Sequence, residues 1–571
     1  MISLASLFSR FPFDILTDFP SDTPIAAIHA DSRKIGKGDL FVAIAGEYFD
    51  GHRYISAAIE QGVAAIVGEK AQKDLPVPYI QVENARQALA YLAAAYYGYP
   101  AHDLTMIGVT GTDGKTTTTN YLYRILLEAG FKAGMISTVN AVIGERTLDT
   151  GFHVTTPDAL DTQRYLAQMR DAGLTHVVLE TTSHGWAQYR VDACEFDIGI
   201  VTNITHEHLD YHGSYEAYRA AKGRLFKSLE ETEEKGLGAR RIAILNRDDS
   251  SFDYLSRLTR VPKLAYGMDA SADTRAEGIR YLPDGIEFRI IASPRSDGFG
   301  RQEGLKPLLQ REGESSSLPR SDDFSRHKGF EIKTKTKLVG AYNIYNALAA
   351  FSAAVYGLGI SPEVASKGIA ALEGVPGRME RIDLGQDFSV IVDFAHTPNA
   401  LRVAIQSAKE MTKGRVIALF GSAGLRDKEK RRLMAEVSTE LADLTVLTAE
   451  DPRSESLGEI LAEMAHGAID KGGTENESFW RIADRGEAIR FALQLARPED
   501  VVLICGKGHE QSMCFGEIEY PWDDRQATRA ALAELLGISG GETMPYLPTQ
   551  DLGGEDADIG EKENQQRGKE A

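Results

Sequence analysis

Lys115 and Thr116 close the glycine-rich part of GVTGTDGKTTTTNYL, which runs from Gly108 to Leu122. A lysine and a hydroxyl directly after such a turn suit a nucleoside triphosphate: the amine reaches the terminal phosphates and the hydroxyl reaches Mg2+. The common spacing G-x-x-x-x-G-K-[ST] nevertheless fails, because its first glycine would fall on Val109. Gly111 and Gly114 remain as points where backbone can approach phosphate, with Thr112, Asp113 and Thr117 beside them. Glu180 ends the apolar run HVVLE, where a carboxylate near a phosphate loop holds Mg2+ or orients a water. His206, His208, Asp210 and His212 crowd into TNITHEHLDYHG, a density that suits a metal or a phosphate, although no H-E-x-x-H spacing is present. Lys222 has Tyr218, Leu225 and Phe226 at i−4, i+3 and i+4. On that face burial makes an amine reactive; the alternative is a surface lysine with a snorkelling stem.

These residues need elements to place them. LTMIGV reads as a strand leading into the loop, and Thr116 to Ala129 as the helix after it, ended by Gly130. A loop at a helix N-terminus directs backbone N–H groups and the helix dipole at an anion. THVVLE and FDIGIVTNIT are further apolar strands, and SYEAYRAAKGRLF is a helix with Ser214 as N-cap. Strands alternating with helices predict an α/β fold with parallel sheets covered on both faces. GDLFVAIAG adds a buried strand (Leu40 to Ile44) to a first region that ends near YYGYPAHDL. After boundary signals at Gly374–Gly377, the runs SVIVDF, RVIALFG, LTVLTAE and DVVLICG predict another α/β domain. Residues 292–328 are polar and aperiodic and read as a disordered insertion; 541–571 read as a disordered acidic tail.

The 571 residues provide material for three or four domains, and 43% hydrophobic with 26% charged residues is ordinary for globular protein. A net charge of −20 argues against nucleic acid as the main partner. Three cysteines without a C-x-x-C pair argue against a disulfide framework or structural zinc. No signal peptide or membrane-spanning run is evident, so a reducing cytoplasm is expected, and a monomer.

The motifs in their order resemble the Mur ligases, the ATP-dependent amide-bond ligases of peptidoglycan precursor synthesis, and most closely the MurE type. That family's ATP loop also lacks the early glycine. The resemblance implies three domains: a UDP-substrate domain at 1–100, a central ATP-binding domain at 101–375 and a Rossmann-like amino-acid-binding domain at 376–540. It implies ATP and Mg2+, and as substrates UDP-MurNAc-L-Ala-D-Glu and a diamino acid. Ser32, in DSRKIGKGDLFVA, would lie near the UDP; Thr155 and Thr156, in HVTTPD, and Ser183, Gln188 and Arg190, in ETTSHGWAQYR, would contact the substrate. Thr116, Glu180, His208 and Lys222 would form the metal set, with Lys222 carbamylated and so carboxylate-like; Lys115, Glu180, His208 and Lys222 would be catalytic. Asn343 and Asn346, in GAYNIYNALAA, would lie near the base, and Arg378, Asp393 and His396 would reach the ATP from the third domain.

The incoming amino acid would meet Arg426, Asp451, Pro452, Arg453, Gly506 and Glu510. TAEDPRSE stands where diaminopimelate-adding members have D-N-P-R. The arginines would take carboxylates and Glu510 an ammonium. The set favours meso-diaminopimelate, whereas the extra negative charge of Asp451 would suit L-Lys or L-Orn. Two other classes compete: a folylpolyglutamate synthetase-like ligase, which has no place for the first module, and a P-loop switch NTPase, which would form no amide.

Overall fold

The computed structural model describes residues 1–46, 50–148, 155–205, 209–282, 285–292 and 329–552. The anticipated insertion, apart from Ala292, lies outside the described residues, as do residues 553–571. The chain divides into two compact units. The first comprises the described residues of Met1–Ile279, Phe288–Lys335 and Tyr345–Ala371; the second comprises Arg280–Glu287, Thr336–Ile344 and the chain from Leu372 onward. The two N-terminal domains expected from sequence thus share one compact unit, except that Arg280–Glu287, Thr336–Ile344 and residues 372–375 of the expected central domain belong to the second.

The first unit opens with a four-stranded sheet. Its strands β1 (Ile28–His29), β2 (Leu40–Ala43), β3 (Ala65–Gly68) and β4 (Tyr79–Gln81) pair in that order, all parallel. Every residue of β2 and β3 is buried, as their unbroken apolar runs require of a sheet covered on both faces. Helix α1 (Ala85–Tyr96), capped where the Asn84 side chain accepts from the Gln87 N–H, lays Leu89 and Leu92 on that core.

The sheet that positions the phosphate loop begins with β5 (Thr105–Thr110), from which the chain enters helix α2 (Lys115–Glu128). It continues through β6 (Ala133–Ile136), β7 (Ala141–Ile143), β8 (Arg146–Leu148), helix α3 (Ala159–Asp171), β9 (His176–Glu180), helix α4 (Ser183–Ala187) and β10 (Ile198–Val201). Helix α5 (Tyr215–Glu231) follows, with Ser214 accepting from the Ala217 N–H as its N-cap. Strands β11 (Ile242–Asn246), β12 (Lys263–Gly267), β13 (Thr274–Leu282), β14 (Gly285–Ala292) and β15 (Phe330–Thr336) complete the sheet. Its order is β8-β7-β6-β9-β5-β10-β11-β12-β13-β14-β15. Strand β5 lies between β9 and β10 and is parallel to both. The chain runs to one side of β5 through β6 and β9, then to the other through β10. The carboxyl ends of these strands meet where the winding reverses, which is where open α/β sheets bind ligands. Helix α6 (Tyr342–Ser352) comes after β15.

The second unit has a six-stranded sheet. In chain order its strands are β16 (Glu380–Ile382), β17 (Ser389–Asp393), β18 (Val416–Phe420), β19 (Leu444–Leu447), β20 (Phe479–Arg481) and β21 (Val501–Cys505); in space they run β16-β17-β21-β18-β19-β20. Only β16 is antiparallel to its neighbour. Helices α7 (Pro398–Met411), α8 (Glu429–Leu441), α9 (Leu457–Asp470) and α10 (Arg485–Leu495) connect the strands, a hairpin of β22 (Ser512–Phe515) and β23 (Ile518–Pro521) follows, and helix α11 (Asp524–Leu536) closes the unit.

The expected disordered tail needs correction at its start. Leu547 is fully buried in the core of the second unit, and the Thr549 hydroxyl donates to Asp484 Oδ2 at 2.6 Å. The chain therefore stays packed well past residue 541. A single leucine and a single threonine in a polar context leave no periodic signal, so composition alone misplaced the boundary.

Candidate functional site

Val109, the residue that breaks the common loop pattern, lies inside β5. It is fully buried and registers with Glu180 on one side and Ile200 on the other. The unusual backbone falls later, at Gly111 (φ 147) and Gly114 (φ 80). A Cβ on Gly111 would come within 1.8 Å of Thr202 Oγ1, and one on Gly114 within 2.2 Å of Asn346 Oδ1. The turn is shorter than in the common pattern, so an early glycine has no role.

The loop is held from β10 and the segment after it. Thr112 N–H donates to the Asn203 carbonyl at 2.7 Å, and Asp113 N–H to Asn203 Oδ1 at 3.0 Å. Thr202 Oγ1 donates to the Asp113 carbonyl at 2.5 Å. Gly114 is the N-cap of α2 and no side chain caps that end, which leaves the first turn suited to phosphate oxygens. Lys115 Nζ donates to the Thr112 carbonyl at 2.7 Å, curling the ammonium over the loop. Thr117 is buried in the first turn.

Glu180 is 1% exposed at the end of β9. Its Oε2 accepts from Thr116 Oγ1 and from the Thr138 N–H, both at 3.0 Å, and its Oε1 from Thr138 Oγ1 at 2.9 Å. The structure thus brings Thr116 and Glu180 together, and Thr138 joins them. Nothing in the string STVN marks Thr138 for this contact; it depends on the pairing of β6 with β9. Thr116 and Glu180 supply hard oxygen donors beside a phosphate loop, a set that fits Mg2+. His208, the third expected member, lies outside the described residues.

Lys222 is 2% exposed on α5. Its ammonium donates to the Gly111 carbonyl and lies 4.5 Å from the Tyr218 ring centroid. The Tyr218 hydroxyl contacts Thr112 Oγ1 at 2.9 Å. The face expected to be buried is buried, and it meets the loop from beneath. As an ammonium, Lys222 carries only donors and cannot ligate a cation.

The substrate-side residues gather next to β9. Thr156 Oγ1 donates to the Glu180 carbonyl at 3.2 Å and accepts from the Thr182 N–H at 3.0 Å, while Thr155 precedes it in the chain. Ser183 is buried at the start of α4. Arg190 donates to the Thr156 carbonyl at 2.7 Å and through NH2 to Gln188 Oε1 at 2.6 Å. Burial holds the Arg190 guanidinium below its ordinary range. Ser32 starts a short 3-10 helix, Ser32–Lys34, after β1.

Of the two expected asparagines, Asn346 meets the loop: Thr118 Oγ1 donates to its Oδ1 at 3.4 Å. Asn343 instead donates to the Val339 carbonyl at 2.6 Å.

In the second unit, Asp393 ends β17 and accepts from the Met379 N–H at 2.7 Å and the Ala395 N–H at 2.9 Å. Burial pushes its carboxyl up, opposed by Arg378. The Arg378 guanidinium stacks 4.4 Å from the Phe394 ring centroid, which also packs against His396 and His509. His509 is held neutral, well below its usual range, by burial and by Arg378. Arg378 Nε and His509 Nδ1 are buried without a hydrogen-bond partner among the described residues, polar atoms that a bound ligand could satisfy.

Lys507 is the residue that sequence reasoning missed. It is fully buried, donating to Asp451 Oδ1 at 2.9 Å and Oδ2 at 3.0 Å, and pairing with Glu510 Oε2 at 2.6 Å. Burial works against its charge, but Glu510 and Asp451 outweigh burial and hold the ammonium above its ordinary range. The extra negative charge of Asp451 is thus matched inside the protein. Pro452 is buried, Arg453 half-buried and Arg426 exposed. Gly506 (φ 113) has no room for a side chain, since a Cβ would come within 2.2 Å of Glu450 Oε2.

Residues 24–97 match the Mur ligase family catalytic domain, 109–354 the Mur ligase middle domain, and 377–508 the Mur ligase glutamate ligase domain. The chain is 41% identical to a UDP-N-acetylmuramyl-tripeptide synthetase of Roseiflexus sp. (strain RS-1), over 90% of this chain and 96% of that protein. It is 39% identical to a UDP-N-acetylmuramoyl-L-alanyl-D-glutamate--2,6-diaminopimelate ligase of Geobacillus kaustophilus (strain HTA426), over 93% of this chain and all of that protein. A solved structure of a UDP-N-acetylmuramoyl-L-alanyl-D-glutamate--2,6-diaminopimelate ligase superposes with a TM-score of 0.61 at 26% identity, covering 94% of this chain and 99% of that one. With three family domains in sequence order and relatives this similar over nearly their whole length, the chain belongs to the Mur ligase family, of the MurE type.

Proposed function

We propose that this chain joins a diamino acid to UDP-MurNAc-L-Ala-D-Glu at the expense of ATP. The observation that carries the reading is the buried Glu180 carboxylate bonded to Thr116 at the mouth of the Gly111–Gly114 loop. A phosphate held by the loop has Lys115 over it, and a substrate carboxylate anchored near Thr156, Ser183 and Arg190 lies along the same strand end. The D-Glu carboxylate attacks the γ-phosphorus, the bond to the β-phosphate oxygen breaks, and an acyl phosphate and ADP form. The amine of the acceptor then attacks the acyl carbon, phosphate leaves, and the amine's surplus protons go to solvent. Such phosphoryl transfer requires alignment and charge neutralisation more than covalent help from the protein.

Thr116 and Glu180 would hold Mg2+, which neutralises phosphate charge when bound. Lys222 joins that set once carbamylated, and His208 is the fourth member of the proposal. Meso-diaminopimelate is the favoured acceptor, supported by relatives named as diaminopimelate ligases and by the presence of both Arg453 and Glu510 in the chain. The enzyme works as a monomer in a reducing cytoplasm. Its three cysteines are buried and free, and among the described residues no helix is long and apolar enough to cross a membrane.

Phosphate release from ATP and Mg2+ tests the reading, with UDP-MurNAc-L-Ala-D-Glu and meso-diaminopimelate, L-Lys or L-Orn in separate reactions. Release that requires both substrates, fastest with meso-diaminopimelate, is the expected result. No release with any of the three overturns it.

A further inference from the structure

Asp451 and Lys507 are 56 residues apart in the chain, yet they form a buried ion pair between two loops of the second unit. Both Asp451 oxygens are used: Lys507 engages the two of them, and the Cys514 N–H of β22 donates to Oδ1 at 2.9 Å. The Asp451 side chain is 9% exposed. Glu510 differs: its Oε2 pairs with Lys507, yet its side chain is 25% exposed. Two carboxylates around one ammonium leave one net negative charge, and the accessible part of it belongs to Glu510.

The backbone gives Asp451 a second task. It has φ 42, and Arg453 has φ 54, left-handed values that a side chain other than glycine rarely adopts. Aspartate tolerates this region better than most residues. The conformation is fixed from several directions: Gly424 N–H donates to the Asp451 carbonyl, Arg453 N–H to the Cys514 carbonyl and Gly516 N–H to the Arg453 carbonyl. The Asp451–Lys507 pair anchors the same loop through its side chain, and Arg453 is two residues away.

We propose that Lys507 is a positioning residue which locks Asp451 as a strut for the Arg453 loop, so that Glu510 alone receives the acceptor's ammonium and Asp451 takes no part in choosing the acceptor. The assignment deepens the ligase reading and rests on it for the identity of the acceptor.

The test is a double-mutant cycle of Asp451→Asn, Lys507→Met and the pair, read in two ways. Thermal unfolding requires no substrate. Lys507→Met strands a buried carboxylate and lowers Tm by roughly 10 °C, whereas the double variant recovers at least about half of that loss. In phosphate release, Asp451→Asn keeps the native ratio of kcat/KM for meso-diaminopimelate to that for L-Lys within about 3-fold. Glu510→Gln raises KM for the amino acid by roughly 10-fold while KM for ATP stays put. Additive Tm losses in the cycle overturn the strut. A change of about 10-fold or more in the acceptor ratio on Asp451→Asn overturns the exclusion of Asp451 from selection. Native enzyme inactive with every acceptor would instead overturn the ligase reading, and the unfolding cycle would still decide the strut.

Discussion

Glu180→Gln separates a catalytic carboxylate from a structural one. The native side chain accepts three hydrogen bonds, two at Oε2 and one at Oε1. A glutamine can place its carbonyl oxygen at the Oε2 position, keeping the bonds from Thr116 and the Thr138 N–H. Its amide then lies at the Oε1 position and donates to Thr138 Oγ1, whose hydroxyl can turn to accept. The three heavy-atom pairs are kept, while the charge assistance goes and the second amide N–H and the turned Thr138 hydroxyl hydrogen need new acceptors. Bonds to a charged acceptor contribute about 1.5–3 kcal/mol each and neutral ones about 0.5–1.5 kcal/mol, a difference of about 1–1.5 kcal/mol per bond, so with three bonds the stability loss should be about 3–4.5 kcal/mol. The fold survives that. Catalysis should not: losing a preorganised charge beside the phosphates costs about 3 kcal/mol of transition-state stabilisation, roughly 100-fold in kcat. The assay is phosphate release at saturating substrates, with a Mg2+ titration and a thermal melt of the same preparation. A variant within about 3-fold of native kcat, at an unchanged Mg2+ requirement, would refute the reasoning and make Glu180 a purely structural acceptor.

Three further outcomes follow from the geometry. Gly114→Ala places a side chain at φ 80 and within 2.2 Å of Asn346 Oδ1, so ATP affinity measured by calorimetry should fall roughly 10-fold, with about 1–2 kcal/mol of strain as the driving cost. His176, buried against Phe131, is held down to about 4 by burial. Its unfolded form takes up a proton near pH 6.5, so its neutral ring stabilises the fold fully above that pH, and up to about 3 kcal/mol is lost as the pH falls from 6.5 through 4. His176→Phe should flatten the stability–pH slope in that window, as followed by urea unfolding. Leu547→Ala removes a fully buried side chain from the second core and should cost about 2–5 kcal/mol, seen as a lower Tm.

The sheets were legible because parallel strands buried on both faces read as unbroken apolar runs, and LTMIGV, HVVLE, RVIALFG and DVVLICG are such runs. The phosphate loop was legible for a related reason. Its glycines and lysine sit between a strand and a helix, so all the information lies within a few consecutive residues. The structure adds why the pattern is shifted: Val109 is still strand, and the backbone first needs glycine at 111. Lys222 was only half readable from its helical neighbours: an i−4, i+3, i+4 apolar face allows burial, but composition alone favoured a surface lysine with a snorkelling stem.

What stayed hidden are contacts between elements far apart in the chain. Thr138 reaches Glu180 only because β6 pairs with β9, and Asn346 meets Thr118 at the start of α2 from 228 residues away. Asp451 shows the consequence most clearly. Read alone, a carboxylate where an amide was expected adds negative charge and shifts the acceptor toward a bare ammonium. Read with Lys507 buried against it, the same carboxylate is neutralised and holds a left-handed turn. A charge contributes to recognition only through the part of it that its own neighbours leave unmatched. The sign of a specificity argument can therefore reverse on one partner that local sequence does not reveal.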